Sequence, residues 1–254
     1  MKLTVVGSSP AWPNPGSAHA GYLVEGPGRL LLDCGPGVLG RLREQDGWPR
    51  VDAIAITHFH LDHFGDLVPW GLGSRYGPGA GTPAPALFVP PGGIELLVQV
   101  ADQYGTPDMF ANAFVLHEYA EGATFRAAGF DVTPTRVPHY TIDAYGFRVS
   151  DGAAVLAYSG DSGPSDALIE IARDADLFLC DGTLDGGEAE PRGHLSVAEA
   201  GAAFDASGAR RLLLTHRPSE LTVGEGVEVA WDGLVLDVTG TPAPAVQIAP
   251  GLER

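Results

Sequence analysis

Five apolar runs in this 254-residue chain each close on a histidine or an aspartate. RLLLD ends at Asp33, DAIAITH at His58, DVTPTRVPH at His139, AAVLAYSGD at Asp161 and RRLLLTH at His216. Short aliphatic and β-branched runs bounded by glycine, proline and polar residues read as strands. Polar groups just beyond strand ends fall in loops, where a rigid sheet can hold them for chemistry. If these ends converge, one edge of the molecule gathers five histidines with Asp33, Asp62 and Asp161.

The rest of the chain supports a layered arrangement. Residues 3–6, 20–25 and 29–33 read as strands, with EGPGR as a hairpin turn between the last two. Further strands are expected at 52–56, 86–89, 114–117, 124–125, 130–136, 144–150, 154–158, 177–180 and 211–214. Helices are expected at 37–44, 62–72, 93–104, 164–172 and 196–207. The tail segments VEVAW, LVLDV and AVQIA read as strands closing a sheet edge. No low-complexity linker or short-period repeat divides the chain, so residues 1–254 are expected to form one α/β (α+β) domain of two sheets covered by helices.

Composition narrows the function. With 15 basic against 32 acidic residues the net charge is -17, and Lys2 is the sole lysine, so the far field repels polyanions. No basic stripe of the nucleic-acid-binding kind is present. The apolar runs are too short to span a bilayer, and MKLTVVGSS enters a strand directly without a signal-peptide core, so a cytoplasmic location is expected. Cys34 and Cys180 make no disulfide framework; each follows an apolar run and reads as a buried thiol, a bridge between them being the alternative.

The densest feature is THFHLDH, residues 57–63. In an extended segment the alternate residues His58 and His60 face the same way and can share one ion, while Asp62 and His63 at the turn into a helix can face a second. The competing reading is a merely polar or pH-sensitive loop. Imidazole with carboxylate suits zinc, with manganese, iron and nickel as alternatives. Seven candidate ligands exceed what one zinc takes and suit two, with the two oxygens of Asp161 as a natural bridge.

THFHLDH, VPH, SGD, LLLTH and the early LLLDCGPG together resemble the metallo-β-lactamase-fold hydrolases, in that family's order, from about residue 3 to 217. The resemblance implies a four-layer αβ/βα sandwich of two mixed β-sheets flanked by helices, with metals at one edge. It implies that His58, His60 and His139 hold a first metal, that Asp62, His63 and His216 hold a second, and that Asp161 is shared. Two Zn2+ are the implied cofactors, Mn2+ or Fe2+ the substitutes. Asp33 resembles the family's early aspartate, which supports the site without coordinating; a turn-capping role before CGPG is the alternative.

Two dications outweigh the charge of Asp62 and Asp161, which favours an anionic substrate, and paired metals activate water for hydrolysis. RGHLSVAEA resembles the histidine motif of the tRNase Z and cyclic-phosphodiesterase branch. It implies that His194 acts with Asp62 in catalysis, stabilising a phosphoryl transition state or protonating the leaving oxygen. Asp181, in LFLCDGTL, falls where that branch carries an acidic residue able to orient a histidine; a turn residue before Gly182 is the equal alternative. His19 and Ser196 are candidate substrate contacts; a structural or surface role is the alternative for His19, and Ser196 also reads as a helix N-cap. His117 reads as structural. Only 21 residues separate His139 from Asp161, with no long basic arm between them. A small anionic phosphodiester, cyclic nucleotides included, is therefore the expected substrate. The alternatives are tRNA 3′ processing, thioester, lactone or β-lactam hydrolysis, and a non-catalytic metal-binding sensor module. A homodimer is suggested by resemblance alone.

Overall fold

The computed structural model describes residues 1–239. The first sheet contains β1 (Lys2–Gly7), β2 (Gly21–Glu25), β3 (Arg29–Leu32), β4 (Ala53–Ala55), β5 (Ala86–Val89), β6 (Val115–Glu118) and β13 (Val235–Asp237). Its strand order is β13-β1-β2-β3-β4-β5-β6; β3 to β6 run parallel and the remaining pairs antiparallel. The second contains β7 (Phe125–Ala127), β8 (Phe130–His139), β9 (Ile142–Ser150), β10 (Val155–Tyr158), β11 (Leu177–Asp181) and β12 (Leu212–Thr215), in the order β12-β11-β10-β9-β8-β7. There β10, β11 and β12 run parallel, and the long β8–β9 hairpin is antiparallel.

Side-chain alternation makes four layers. Leu30 and Leu32 point into the apolar layer between the sheets, together with Tyr22, Val24, Phe147, Leu156, Tyr158, Leu177 and Leu179. Leu31, Leu23 and Ile54 point the other way, onto α1 (Val38–Gln45), α3 (Leu67–Tyr76), α4 (Gly93–Gln103) and α5 (Met109–Ala113). Phe178, Cys180 and Leu214 pack on the opposite outer face, under α6 (Asp166–Ala172) and α7 (Val197–Ser207). Strands buried on both faces must be apolar at every position, which is why RLLL and LFLC lack the polar alternation of a half-exposed strand. Burial of Leu30, Leu31 and Leu32 stabilises both layers at about 1.5–3 kcal/mol per side chain. The architecture is the expected sandwich of two mixed sheets flanked by helices. Pro134 and Pro138 are tolerated in β8 because β7 pairs only as far as Val132; beyond it no strand requires their missing amides, and their carbonyls accept from Gly122 N (2.8 Å) and Gly163 N (2.7 Å).

Three local expectations differ from what forms. The helix expected at 62–72 is two: a single turn, α2 (Leu61–Phe64), and then α3. Asp66 separates them because its amide donates to the Cys34 carbonyl (3.0 Å) while its carboxylate accepts from the Leu39 amide at 2.7 Å. The short α5 fell in a stretch with no periodic signal. In the tail, Val229 makes only an isolated bridge to Leu214, and LVLDV supplies β13; AVQIA lies outside the described residues. No helix among the described residues is long and apolar enough to cross a membrane.

Candidate metal centre

Strand direction decides where the polar ends meet. β3 and β4 are parallel, so Asp33 and His58 follow equivalent ends. β8 and β10 both run antiparallel to β9, so they share a direction, and β11 and β12 run with β10. His139, Asp161, Asp181 and His216 therefore emerge along one edge. Two buried hydroxyl contacts join the sheets beneath it. The Tyr158 hydroxyl donates to Asp33 Oδ2 at 2.8 Å, and Tyr22 Oη lies 2.6 Å from Thr215 Oγ1.

The THFHLDH segment bends at Thr57 after β4, is extended at His60 and then coils into α2, which carries Asp62 and His63. Cys34 N donates to the His63 carbonyl at 2.7 Å, fixing this turn against DCGPG. The approach is so close that a Cβ at Gly35 would lie 1.9 Å from the Asp62 carbonyl oxygen, so only glycine fits there.

The structure brings together all seven candidate ligands, in two quartets that share Asp161. One is His58, His60, His139 and Asp161; the other is Asp62, His63, Asp161 and His216; within each, the ligating atoms lie within 4.8 Å of one another. Asp161 Oδ2 stands 3.2 Å from His63 Nε2 and 3.4 Å from His216 Nε2, and 3.8 Å from Nε2 of both His58 and His139. Asp62 Oδ2 is 3.1 Å from His216 Nε2, and His60 Nδ1 is 2.9 Å from His139 Nε2.

The outer faces of the rings are committed. His63 Nδ1–H donates to Asp33 Oδ2 (2.8 Å) and His139 Nδ1–H to the Gly193 carbonyl (2.7 Å). His58 Nδ1 meets Thr57 Oγ1 at 3.0 Å, and His216 Nδ1 meets Thr183 Oγ1 at 2.9 Å. Protonation at Nδ1 turns each Nε2 lone pair inward. Nε2 of His58 and of His63 is buried with no hydrogen-bond partner, an arrangement a cation completes. A nitrogen and carboxylate donor set with no sulfur fits zinc, manganese or iron in a hydrolytic centre. Cys34 and Cys180 are free thiols buried in separate outer layers, where burial pushes both well above the ordinary thiol range.

Electrostatics follow the geometry. Burial alone would raise the Asp161 carboxyl, but His216 and His63 hold it well below the usual carboxylate range. Asp62 is likewise opposed by burial, yet its close contact with His216 and the nearby His63 bring it down to about 2. Burial pulls His58 well below the ordinary histidine value, keeping it neutral.

The flanking candidates fall in distinct places. Asp33 is fully buried and also accepts from Thr57 N at 2.8 Å and from the Thr57 hydroxyl, so it works behind the cluster rather than in it. Asp181 Oδ2 accepts from His194 Nδ1 at 2.8 Å, and Oδ1 accepts from Thr183 N and Oγ1. Burial lowers His194, but Asp181, then Asp161 and Glu188, outweigh it and raise the imidazole to about 9. His194, Asp181, Asp161 and His216 form a third cluster continuous with the quartets. His19 is buried on the adjoining loop with Nδ1 2.9 Å from the Pro10 carbonyl, near enough for Asp62 to act on it. Ser196 is spent on its helix: its hydroxyl accepts from Glu199 N, and Glu199 reaches back, in a capping box at the start of α7. His117 lies on β6, stacked on Phe88 with ring centres 4.9 Å apart. Sequence reasoning passed over Thr57, Thr183, Tyr158 and Tyr140. The first carried a signal, since it immediately precedes a strand-end histidine, as Thr215 does. Asp33, Tyr140 and His216 hold positive φ values of 57°, 47° and 57°, placing backbone strain at the site.

Two sheets face to face with a histidine–aspartate cage at their common edge define a metallo-hydrolase sandwich. Residues 28–217 match the β-lactamase superfamily domain, and the chain belongs to the metallo-β-lactamase superfamily. The uncharacterized protein Rv1339 of Mycobacterium tuberculosis is 34% identical over 223 residues, covering 86% of this chain and 81% of that one. The probable metallo-hydrolase YhfI of Bacillus subtilis is 30% identical over 225 residues, covering 86% and 87%. Its crystal structure superposes with a TM-score of 0.80 at 26% identity, over 93% of this chain and 99% of YhfI. A ribonuclease Z of Mycobacterium bovis is 28% identical over 269 residues, covering 92% and 91%.

Proposed function

We propose that this metallo-hydrolase cleaves small phosphodiesters, cyclic nucleotides among them, at a two-metal centre. The observation that carries this reading is His194, an imidazole raised to about 9, oriented by Asp181 and stationed beside the Asp161 that links the two quartets. His58, His60 and His139 would hold one metal and Asp62, His63 and His216 the other, with Asp161 between them. Bound there, two dications supply Lewis-acid stabilisation of a phosphoryl oxygen and a water activated near neutral pH.

The chain's own groups do the rest. Asp62, kept ionised, orients the attacking water through its carboxylate. His194 Nδ1–H donates a hydrogen bond to Asp181, so Nε2 is the nitrogen left to face the substrate, and in the imidazolium the Nε2 proton passes to the departing alkoxide, leaving a neutral ring still protonated at Nδ1. A proton donor beside a leaving oxygen matters most where an alcohol is released, as in a phosphodiester. The arginines around the centre are already engaged. Arg192 binds Glu199 at 2.9 and 3.1 Å, and Arg217 donates to the carbonyls of Gly182 and Thr222 at 2.6 and 2.8 Å. With the acidic net charge of -17, this favours a substrate bearing one phosphate over a polyanion such as tRNA.

The test is a screen of metal-reconstituted protein against adenosine 3′,5′-cyclic monophosphate, bis(p-nitrophenyl) phosphate, precursor tRNA, a thioester and a lactone. The highest kcat/KM is expected on a small phosphodiester, and His194→Ala should lower kcat while bound metal is retained. Preferential cleavage of precursor tRNA would move the protein to the ribonuclease Z activity of its relative. Loss of metal in His194→Ala would make His194 a ligand instead.

A further inference from the structure

His194 reaches the centre on a loop, residues 185–193, that has neither helix nor strand to stiffen it. What fixes the loop comes from the residue after a candidate ligand. Tyr140 N donates to the Arg192 carbonyl at 2.9 Å. The Tyr140 hydroxyl donates to Glu188 Oε1 at 3.0 Å, and Glu188 Oε2 accepts from Gly193 N, also at 3.0 Å. His139 Nδ1 closes the circuit on the Gly193 carbonyl at 2.7 Å. The tyrosine ring packs against Gly193, where a Cβ would sit 2.2 Å from Cζ, so a larger residue there would displace the ring. Its centre is 4.9 Å from the His139 ring and 5.6 Å from the His194 ring. Tyr140 holds this place at a φ of 47°, a conformation an aromatic residue rarely adopts, and one that the surrounding bonds must impose.

We propose that Tyr140 is a positioning residue for His194: through Glu188 and Gly193 it fixes the register of the loop that delivers the imidazole beside Asp161. This rests on His194 being the proton donor. A phenol bonded to a carboxylate that in turn holds the amide preceding His194 transmits any shift of one to the other. The bond is removable without removing the ring, because phenylalanine keeps the packing on Gly193 and loses only the hydroxyl.

The experiment is a double-mutant cycle on metal-reconstituted protein with bis(p-nitrophenyl) phosphate, using Tyr140→Phe, His194→Ala and the pair. Tyr140→Phe should lower kcat about tenfold to a hundredfold, the scale expected when a catalytic group is misplaced by about an ångström, with KM and bound metal unchanged. In the His194→Ala background the same change should cost nothing further. Glu188→Gln should reproduce the kcat loss and be non-additive with Tyr140→Phe. An unchanged kcat in Tyr140→Phe overturns the proposal. So does a loss that persists without His194, or one seen only in KM, since Tyr140 would then touch substrate or serve stability in general. If His194→Ala alone leaves kcat intact, the proton-donor assignment falls first, whatever Tyr140→Phe does.

Discussion

The first sheet delivers His58, His60, Asp62 and His63 from one turn at the end of β4, whereas the second delivers His139, Asp161 and His216 from three strand ends scattered between residues 139 and 216. The first group is arranged by local backbone: an extended step, a single helical turn, and Gly35 allowing close approach. The second is arranged by topology, since nothing near His139 in sequence dictates where Asp161 or His216 will stand. A contiguous turn is preorganised by few bonds. A set of strand ends is only as precise as the sheet that aligns them, which is why the second sheet's contributors lie in a network including Thr183, Asp181 and Gly193.

Asp161 is where the comparison is most severely tested, because both quartets depend on it. Asp161→Ala should reduce turnover of bis(p-nitrophenyl) phosphate at least about a thousandfold, on the order of 4 kcal/mol of barrier. Metal analysis should show losses beyond one ion per chain. Near wild-type turnover would mean the two groups operate without a link. Next in size are the supporting bonds, one on each side. Asp33→Asn removes the carboxylate behind His63, and Thr183→Val the hydroxyl behind His216. Loss of such a partner typically costs about 10–100-fold in metal affinity. In chelator competition titrations both variants should weaken binding. If Thr183→Val has no effect while Asp33→Asn does, the second sheet's strand ends position His216 without help.

The same contrast explains what could be read without coordinates. THFHLDH is a local pattern, and its histidines and aspartate converge as their spacing suggests. The strand-end rule also located His139, Asp161 and His216, because an apolar run buried on both faces has to stop where polarity begins. That these ends share an edge required the strand order, which no single segment contains. Groups that act from behind, Thr57, Thr183 and Tyr158, escaped notice because a hydroxyl in a strand is ordinary until its partner is known. Tyr140 escaped because its role depends on Glu188 and Gly193, far off in the chain. The break between α2 and α3 was invisible for the same reason: Asp66 continues a helical spacing in sequence, and only its bonds to Cys34 and Leu39 divert the chain.

A smaller effect separates the proposed proton donor, His194, from the cage. Burial lowers His194, and Asp181 is the leading opposing influence that brings it to about 9. An acid works while protonated, so activity should fall as pH rises through its ionisation. Asp181→Asn withdraws the charge that favours the imidazolium, and the alkaline limb of the kcat/KM profile should therefore move to lower pH. A limb that stays in place assigns it to a group other than His194.

The smallest expected effect concerns Ser196, two residues beyond His194 yet turned away from the chemistry. Its hydroxyl and Glu199 form the capping box of α7, and Arg192 holds the same Glu199 at 2.9 Å. Ser196→Ala should cost about 1 kcal/mol of stability, the usual worth of an N-cap, read as a lower midpoint in urea at constant slope. KM for bis(p-nitrophenyl) phosphate should not change, because the lost hydroxyl was satisfying backbone and carboxylate rather than facing the cage. A raised KM with unaltered stability would reverse that reading, and the segment from His194 to Ser196 would then belong to the substrate surface rather than divide between proton donor and helix cap.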